Sequence, residues 1–442
     1  MPHFASFSMD LQDTLGHSEL LNDTLVSSSE QTVYHILSGS FKSLSLFLLA
    51  FSPANRTLSH LQSIPAFGPH QYLATNAAKD RVYTTSWALP PSLSSWQIDR
   101  SSSLYEVKHI NTVPITATSS YLTIPAPYTH VYSVGGPTGE SHLIDPDTGG
   151  FGEKVQEILF VPEHELEKAD KTRVALRYGS HGIEFTPSRQ FAFVPVLGTN
   201  SIEMYSHDSE NGRLSHIASI SSPRGVDAND GPRHLKIHPN GKVLYCITEH
   251  SNYVDSYRIL RTTLKYIDSR SVLPKTLRGH GSGAQGHFRG DTLMLPPSTP
   301  SSPTPKVLIT TTRYSNSNLR GWLSVFPLDD EGNFTGLPES VEGDTEAERF
   351  ETPTSGGKAN AIDILSKAPD SGGSGSDGLW ILLTDDDDIT SSPSGTGAVR
   401  VLEWNGWDQG GVKVVAEWPS VDDIPNLSED RIQGASHAIW LD

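Results

Sequence analysis

The chain has 442 residues, of which 36% are hydrophobic and 19% charged, and its formal net charge is −18. With 37 glycines and 30 prolines, the composition favours a turn-rich globular protein over a helical bundle or a disordered chain. The acidity argues against sequence-independent binding of nucleic acid, which needs a dense face of lysine and arginine to neutralise phosphates.

The N-terminal segment, residues 1–31, lacks the basic stretch and apolar core of a secretory signal peptide. We expect it to be a poorly structured leader. The longest apolar run, residues 44–51, is shorter than the roughly 18 residues that span a membrane. The single cysteine, Cys246, allows no intrachain disulfide. The sequence therefore predicts a cytoplasmic protein that does not interact with membranes.

From residue 33 onward, a seven-residue strand-like window rich in β-branched and aromatic residues recurs along the chain. Its copies are 33–39, 81–87, 130–136, 191–197, 243–249, 307–313 and 379–385. A second apolar segment precedes six of these copies, at 68–76, 119–127, 180–187, 232–239, 290–297 and 357–365. The seventh segment of this kind, GASHAIWLD, ends the chain at Asp442.

A repeat of roughly 50 to 75 residues with about four strand-like pieces is typical of propeller blades. We predict an all-β fold in which residues 32–442 form a single seven-bladed β-propeller. The C-terminal strand would pair with the N-terminal blade, closing the ring and removing open sheet edges. Two β-sandwich domains are the alternative. They would not explain why the C-terminal segment matches the start of every internal repeat.

The stretches 296–305, 368–378 and 385–397 are rich in glycine, serine and proline. Such compositions do not form a packed core, so we expect loops. The acidic stretch TDDDDI, 384–389, could bind a hard cation, but a solvated acidic loop is the simpler interpretation. The sequence has no HExxH, paired CxxC, P-loop or GxSxG motif, so no metal or nucleotide cofactor is expected.

Two charged residues occupy unusual places in the blade formed by residues 232–249. Arg233 lies where the first strand starts, and Glu249 lies where the second strand ends. Because these strands should form an antiparallel hairpin, both residues are expected at the same end of the sheet. In the propeller, that end is one mouth of the central channel.

The neighbouring blades contribute two further polar residues to this mouth. Aligning first strands places His181 at the position of Arg233, and aligning second strands places Arg313 at the position of Glu249. Each residue alone could belong to an interblade ion pair or be bonded to a turn. Four polar residues from three consecutive blades indicate a functional site, since propeller sites form where strand ends converge.

The segment GPRHLKIHPNGK, followed by a strand ending at Glu249, resembles the lactonase-like seven-bladed propellers. This family includes bacterial 6-phosphogluconolactonase and fungal 3-carboxy-cis,cis-muconate lactonizing enzymes. SHGIEFTP, TTRYSNSNLRGWLSVF, TPTSGGKANAI, LLTDD and HAIWLD resemble the fungal branch. The resemblance extends from about residue 33 to residue 442. The leader, the segment 262–290 and the loop after Asp385 are longer than the family pattern.

The resemblance implies a cofactor-free cycloisomerase that converts 3-carboxy-cis,cis-muconate to a carboxymuconolactone in aromatic (protocatechuate) catabolism. It implies that His181 and Glu249 are catalytic and that Arg233 and Arg313 bind the substrate. We expect His181 to be the general acid, its charged form favoured by Glu249 or by the substrate, with Glu249 as its orienter or as the alternative donor.

Two other functions fit the same sequence. One is hydrolysis of a sugar lactone such as 6-phosphogluconolactone, and the other is a non-enzymatic propeller that binds partner proteins. The expected partner of the enzyme is a small tricarboxylate, with no nucleic acid or membrane, and a homo-oligomer is compatible with the sequence.

Overall fold

The structure is a computed structural model. It describes residues 32–101, 105–225, 227–278, 287–300, 302–336, 347–368, 378–386, 397–420 and 432–442. The predicted leader and most of the predicted loops 368–378 and 385–397 lie outside these residues. The described part of 296–305 contains no strand, as predicted.

The described residues form 28 strands and three short 3₁₀ helices. In chain order the strands are β1 (Tyr34–Ser40), β2 (Ser45–Ser52), β3 (Thr57–Pro65), β4 (Leu73–Thr75), β5 (Arg81–Thr85), β6 (Ser92–Asp99), β7 (Glu106–Pro114), β8 (Ser119–Thr123), β9 (His130–Gly135), β10 (Thr138–Ile144), β11 (Phe151–Leu159), β12 (Glu184–Phe185), β13 (Phe191–Val196), β14 (Ser201–Asp208), β15 (Arg213–Ser221), β16 (Pro232–Ile237), β17 (Val243–Thr248), β18 (Tyr253–Ile259), β19 (Leu264–Ser271), β20 (Phe288–Met294), β21 (Val307–Tyr314), β22 (Trp322–Pro327), β23 (Glu348–Glu351), β24 (Ile362–Ser366), β25 (Leu379–Asp385), β26 (Ala398–Trp404), β27 (Lys413–Trp418) and β28 (Ala435–Trp440). The helices are η1 (Glu163–Glu165), η2 (Arg173–Arg177) and η3 (Lys275–Leu277).

The strands form seven four-stranded antiparallel sheets, which are the blades of the propeller. Blade I has the order β28-β1-β2-β3, and blades II to VII contain β4–β7, β8–β11, β12–β15, β16–β19, β20–β23 and β24–β27. The prediction of a seven-bladed all-β propeller is confirmed. Among the described residues, no helix has the length and apolar character needed to cross a membrane.

The C-terminal strand closes the ring, as predicted. Strand β28 pairs antiparallel with β1, with Trp440 opposite Ile36 and Ile439 opposite Leu37. The inner edge of blade I is therefore made by the end of the chain, and its other three strands come from the beginning. This pairing completes blade I as a four-stranded sheet and covers the edge that β1 would otherwise expose.

The apolar core is divided into layers between adjacent blades. The layer between blades VII and I, for example, contains the buried side chains of Phe51, Trp380, Trp418 and Trp440. Equivalent clusters lie between each of the other neighbouring pairs. Because both faces of each blade pack against a neighbour, most buried apolar residues lie in these layers. Polar side chains are left to line the mouth of the central channel.

Candidate active site

A β-bulge places Arg233 at the channel mouth. In blade V, Pro232 pairs with Thr248, but the next pair is His234 with Ile247, so Arg233 is an extra residue on β16. A bulge bends its strand locally and changes the direction of the side chain. Arg233 is buried, and its Nε lies 3.4 Å from Oε2 of Glu249. The predicted proximity of Arg233 and Glu249 is confirmed.

The same bulge recurs in the inner strands of blades III, IV and VI. It places Ser120, His181 and Asp291 at the position that Arg233 has in blade V. In blade IV, for instance, Ser180 bridges to Val196 as Pro232 does to Thr248. The alignment of His181 with Arg233 therefore corresponds to equivalent strand pairing.

Two carboxylates hold the guanidinium groups of Arg233 and Arg313. Arg313 lies near the end of β21, and its Nη2 is 3.3 Å from Oε1 of Glu249. Its Nε donates to Oδ1 of Asp291 at 3.2 Å, and Nη2 of Arg233 lies 2.7 Å from the same oxygen. The backbone N–H of Asn360 donates to the other oxygen of Asp291 at 2.6 Å. Side chains from blades V and VI thus form one buried ionic network.

A third arginine, Arg289, completes this network. Its Nη1 donates to Oε1 of Glu249 at 2.9 Å, and its Nε donates to Nε2 of His287 at 2.8 Å. The side chain is 33% exposed, so it forms the solvent side of the cluster. Burial opposes the ionisation of Glu249, but the charges of Arg313, Arg233 and Arg289 outweigh it and lower the pKa of Glu249 to about 2. Glu249 is therefore a carboxylate at neutral pH.

His181 lies beside the network and is held by the backbone. Its Nε2 is 2.8 Å from the carbonyl oxygen of Leu176 in η2, so Nε2 carries a proton and donates. Burial and the charge of Arg233 lower the pKa of His181 to about 3, although Glu249 acts in the opposite direction. His181 is therefore neutral in the free protein. Glu249 does favour the charged form, as expected, but burial and the arginines outweigh that carboxylate before a substrate binds.

The structure brings together all four residues named from the sequence and adds Asp291 and Arg289. The sequence contains a signal for Asp291. Aligning 290–297 with 232–239 places Asp291 at the position of Arg233, just as the first-strand alignment places His181 there. The signal for Arg289 is weaker, because its place beside Glu249 depends on its pairing with Arg313.

The acidic position in blade VII has a structural role. Asp385, which aligns with Glu249, accepts a hydrogen bond from Nη1 of Arg400 at 2.7 Å, and both residues are buried. Arg400 also pairs with Glu417. Across the part of the chain that the structure describes, no group of three or more histidine, cysteine, aspartate or glutamate residues is arranged to hold a metal ion.

A small cavity of about 20 Å³ opens onto this network. Its lining includes His181, Arg233 and Asp291. Nη1 of Arg233 is buried and has no hydrogen-bond partner among the described residues. A buried guanidinium N–H without an acceptor is costly, so an anion entering the cavity would find a donor already in place.

Comparison with known proteins gives a family match over more than half of the chain and relatives that match over almost all of it. The sequence profile of the family described as lactonase, 7-bladed beta-propeller, matches residues 35–295. Muconate cycloisomerase 1 of Cutaneotrichosporon cutaneum is 30% identical over 416 residues, which are 93% of this chain and 99% of that protein.

Bacterial proteins match over a shorter length or with lower identity. The 6-phosphogluconolactonase of Yersinia pestis is 28% identical over 110 residues, 24% of this chain and 32% of that protein. The solved structure of a periplasmic gluconolactonase from Pseudomonas aeruginosa superposes with a TM-score of 0.64 at 16% identity, covering 92% of this chain and 99% of that one. At that identity, the superposition shows a shared fold.

Proposed function

Because the chain belongs to the lactonase family of seven-bladed β-propellers, we propose that it is a lactonizing enzyme. In this proposal it is a cycloisomerase that closes 3-carboxy-cis,cis-muconate to a carboxymuconolactone without a cofactor. The observation that carries the proposal is the cluster of three guanidinium groups around Glu249 at the channel mouth. A relative named muconate cycloisomerase, which matches along 93% of the chain, supports it.

The cluster has the charge that a polycarboxylate requires. Arg233, Arg289 and Arg313 carry three positive charges, and Glu249 and Asp291 carry two negative ones, which leaves 3 − 2 = +1 with His181 neutral. Guanidinium groups bind carboxylates through paired N–H donors, which fixes the orientation of the anion as well as its position. The site can therefore hold an acid in one geometry.

Ring closure is mainly a positioning task. One carboxylate oxygen of the substrate forms a bond to an alkene carbon of the same molecule, and the π electrons move to the neighbouring carbon. A carboxylate conjugated with that carbon shares the developing negative charge. Arg233 and Arg313 hold the reacting carboxylates and stabilise this charge, so orientation and electrostatics supply most of the acceleration.

The reaction consumes one proton, because a trianion becomes a lactone with two carboxylates. Glu249 has no proton to give near neutral pH, since its pKa is about 2. His181 is neutral before the substrate binds, but three new negative charges oppose the field of the arginines and raise its pKa. We assign the proton transfer to Nδ1 of His181, since Nε2–H stays bonded to Leu176. Glu249 then favours the charged imidazole that delivers the proton to carbon.

Hydrolysis of 6-phosphogluconolactone is the second candidate. It is favoured by the match to the 6-phosphogluconolactonase of Yersinia pestis, although that match covers 24% of the chain. The same arginines would bind the phosphate group. Under this alternative, the site would activate water instead of protonating carbon.

One assay separates these functions. The purified protein is incubated with 3-carboxy-cis,cis-muconate, and the ultraviolet absorbance of the diene is followed with and without EDTA. We expect the absorbance to fall at the same rate in both. Hydrolysis of 6-phosphogluconolactone with a stable diene signal would favour the second candidate. Inactivity on both substrates would contradict an enzymatic role and favour a protein-binding propeller.

A further inference from the structure

A lysine that the ionic network does not use also faces the cavity. Lys358 lies between β23 and β24, after the turn formed by Gly356 and Gly357, which have φ angles of +88° and +63°. Of the described residues that line the cavity, Arg233 and Lys358 carry a positive charge, since His181 and His234 have lowered pKa values. The cavity therefore has a cation from blade V and a second one from the connection between blades VI and VII.

Lys358 is held in place by a buried partner. Its Nζ forms an ion pair with Oδ2 of Asp386, which directly follows β25, and it lies 5.6 Å from the centre of the Phe41 ring. A side chain at position 434 would not fit, since a Cβ on Gly434 would lie 1.9 Å from Oδ1 of Asp386. This oxygen has no hydrogen-bond partner among the described residues. Lys358 therefore lines the cavity while paired with a buried carboxylate that is not itself part of the lining.

The other cations of the mouth, Arg289 and Arg313, each have two partners in the network and can contact a substrate only through their remaining N–H groups. Arg313 is bonded to Glu249 and Asp291, and Arg289 is bonded to Glu249 and His287. Neither of these arginines is among the residues that line the cavity. Lys358 has a single carboxylate partner among the described residues and remains 43% exposed. It is the cation best placed to accept one more anionic group from a bound molecule.

We infer that Lys358 binds the carboxylate that distinguishes a tricarboxylate from cis,cis-muconate, and so determines which of the two acids the site selects. The inference rests on the proposed function for the identity of the substrate. In this arrangement, the arginine network holds the reacting part of the diene. Lys358 contacts the additional carboxyl group from a different wall of the cavity, and Asp386 positions Lys358 when the site is empty.

Asp386 also links this selection to pH. Burial raises the pKa of Asp386 to about 6, against the charge of Lys358 and of Lys42, while Asp385 adds to the increase. Arg313 also interacts with this carboxyl group. When Asp386 takes up a proton, Lys358 loses its ionic partner. The substrate carboxylate then no longer competes with Asp386 for the ammonium group. Tricarboxylate binding should therefore strengthen as the pH falls from 8 to 6, and the Asp386→Asn variant should lose the part of this dependence that Asp386 contributes, while the part due to His181 remains.

The test measures binding and turnover separately. Isothermal titration calorimetry is performed with benzene-1,2,4-tricarboxylate and benzene-1,2-dicarboxylate, which are not turned over. The wild-type protein, Lys358→Met, Lys358→Arg and the surface control Lys242→Met are compared. Lys242 is a suitable control because its ion pair with Glu331 is exposed. The kcat/KM values for 3-carboxy-cis,cis-muconate and cis,cis-muconate are measured on the same four proteins.

We expect Lys358→Met to weaken tricarboxylate binding by about 10- to 100-fold, the scale of one charge-assisted hydrogen bond, and dicarboxylate binding by less than about threefold. Lys358→Arg should retain most of the preference, and Lys242→Met should retain all of it. A wild type that binds both acids equally, or a Lys358→Met protein that keeps the preference, overturns the inference. If the wild-type protein prefers the benzene tricarboxylate but does not turn over either muconate, the Lys358 subsite is supported. The proposed reaction is then contradicted.

Discussion

The Glu249→Gln substitution tests whether the arginine network depends on an ionised carboxylate. The change keeps the shape of the side chain and removes the charge that three guanidinium groups share. A buried ion pair that loses one partner typically costs about 3 to 5 kcal/mol, because the remaining charge is left without compensation. Urea unfolding at pH 7, followed by the fluorescence of the eight tryptophans, measures this loss.

The pKa of Glu249 gives a second value for the free energy by which its ionised carboxylate stabilises the fold. Its value falls from 4.5 to about 2 in the folded protein, which corresponds to about 3 kcal/mol of stabilisation from ionisation. Since the folded pKa is lowered, this stabilisation is fully present above about pH 4.5 and is lost as the pH falls toward 2. At pH 3, about 2 kcal/mol of it should already be gone.

Measuring the stability of both proteins at two pH values therefore isolates the contribution of the charge on Glu249. The stability difference between the wild type and Glu249→Gln should shrink by about 2 kcal/mol from pH 7 to pH 3, because the variant has no carboxylate to protonate at this position. Glu331→Gln removes an exposed ion pair with Lys242 and serves as the matched control, with an effect below about 1 kcal/mol. A difference for Glu249→Gln that is the same at both pH values would refute the reasoning.

Three further substitutions address the site and the ring. His181→Asn should lower turnover by about two to four orders of magnitude, and near-wild-type turnover would remove His181 from the mechanism. Arg313→Lys keeps the charge but loses the planar fork, so kcat/KM should fall at least about tenfold; unchanged kinetics would contradict paired binding of a carboxylate. Trp440→Ala empties a buried position in the closing strand and should cost about 3 to 5 kcal/mol in urea unfolding, whereas a loss below about 1 kcal/mol would argue against the importance of ring closure.

Repetition made the fold and the channel mouth predictable from the sequence. Once GASHAIWLD is aligned with the inner strands, the pairing of β28 with β1 follows from the ring. The same alignment places His181 at the position of Arg233, because equivalent strands of a propeller share their pairing pattern. An alignment of repeats thus predicts which strand ends meet, although those residues are far apart in the chain.

The rest of the site depends on burial, which the alignment does not contain. His181 and Glu249 were expected to influence each other, and they do, but the desolvation of His181 decides its protonation state. Burial likewise decides the pKa of Asp386, which lies in an acidic stretch that by composition alone resembles a solvated loop. Asp291 differs from these cases. The alignment of first strands places it at the position of Arg233 once the inner strand of blade VI is included.

The network explains how a chain with a net charge of −18 can offer a site to the proposed trianionic substrate. Glu249 and Asp291 hold the guanidinium groups in position before any ligand arrives, so that the ordering of these side chains precedes binding. The local excess of one positive charge does not neutralise three carboxylates. Binding of the substrate must therefore bring protons or further cations into the site. The groups that the geometry provides for this are the neutral imidazole of His181 and the ammonium group of Lys358 with its buried partner Asp386. In the proposed reaction, which consumes one proton in each turnover, a site that is short of positive charge after binding attracts the proton that the reaction needs.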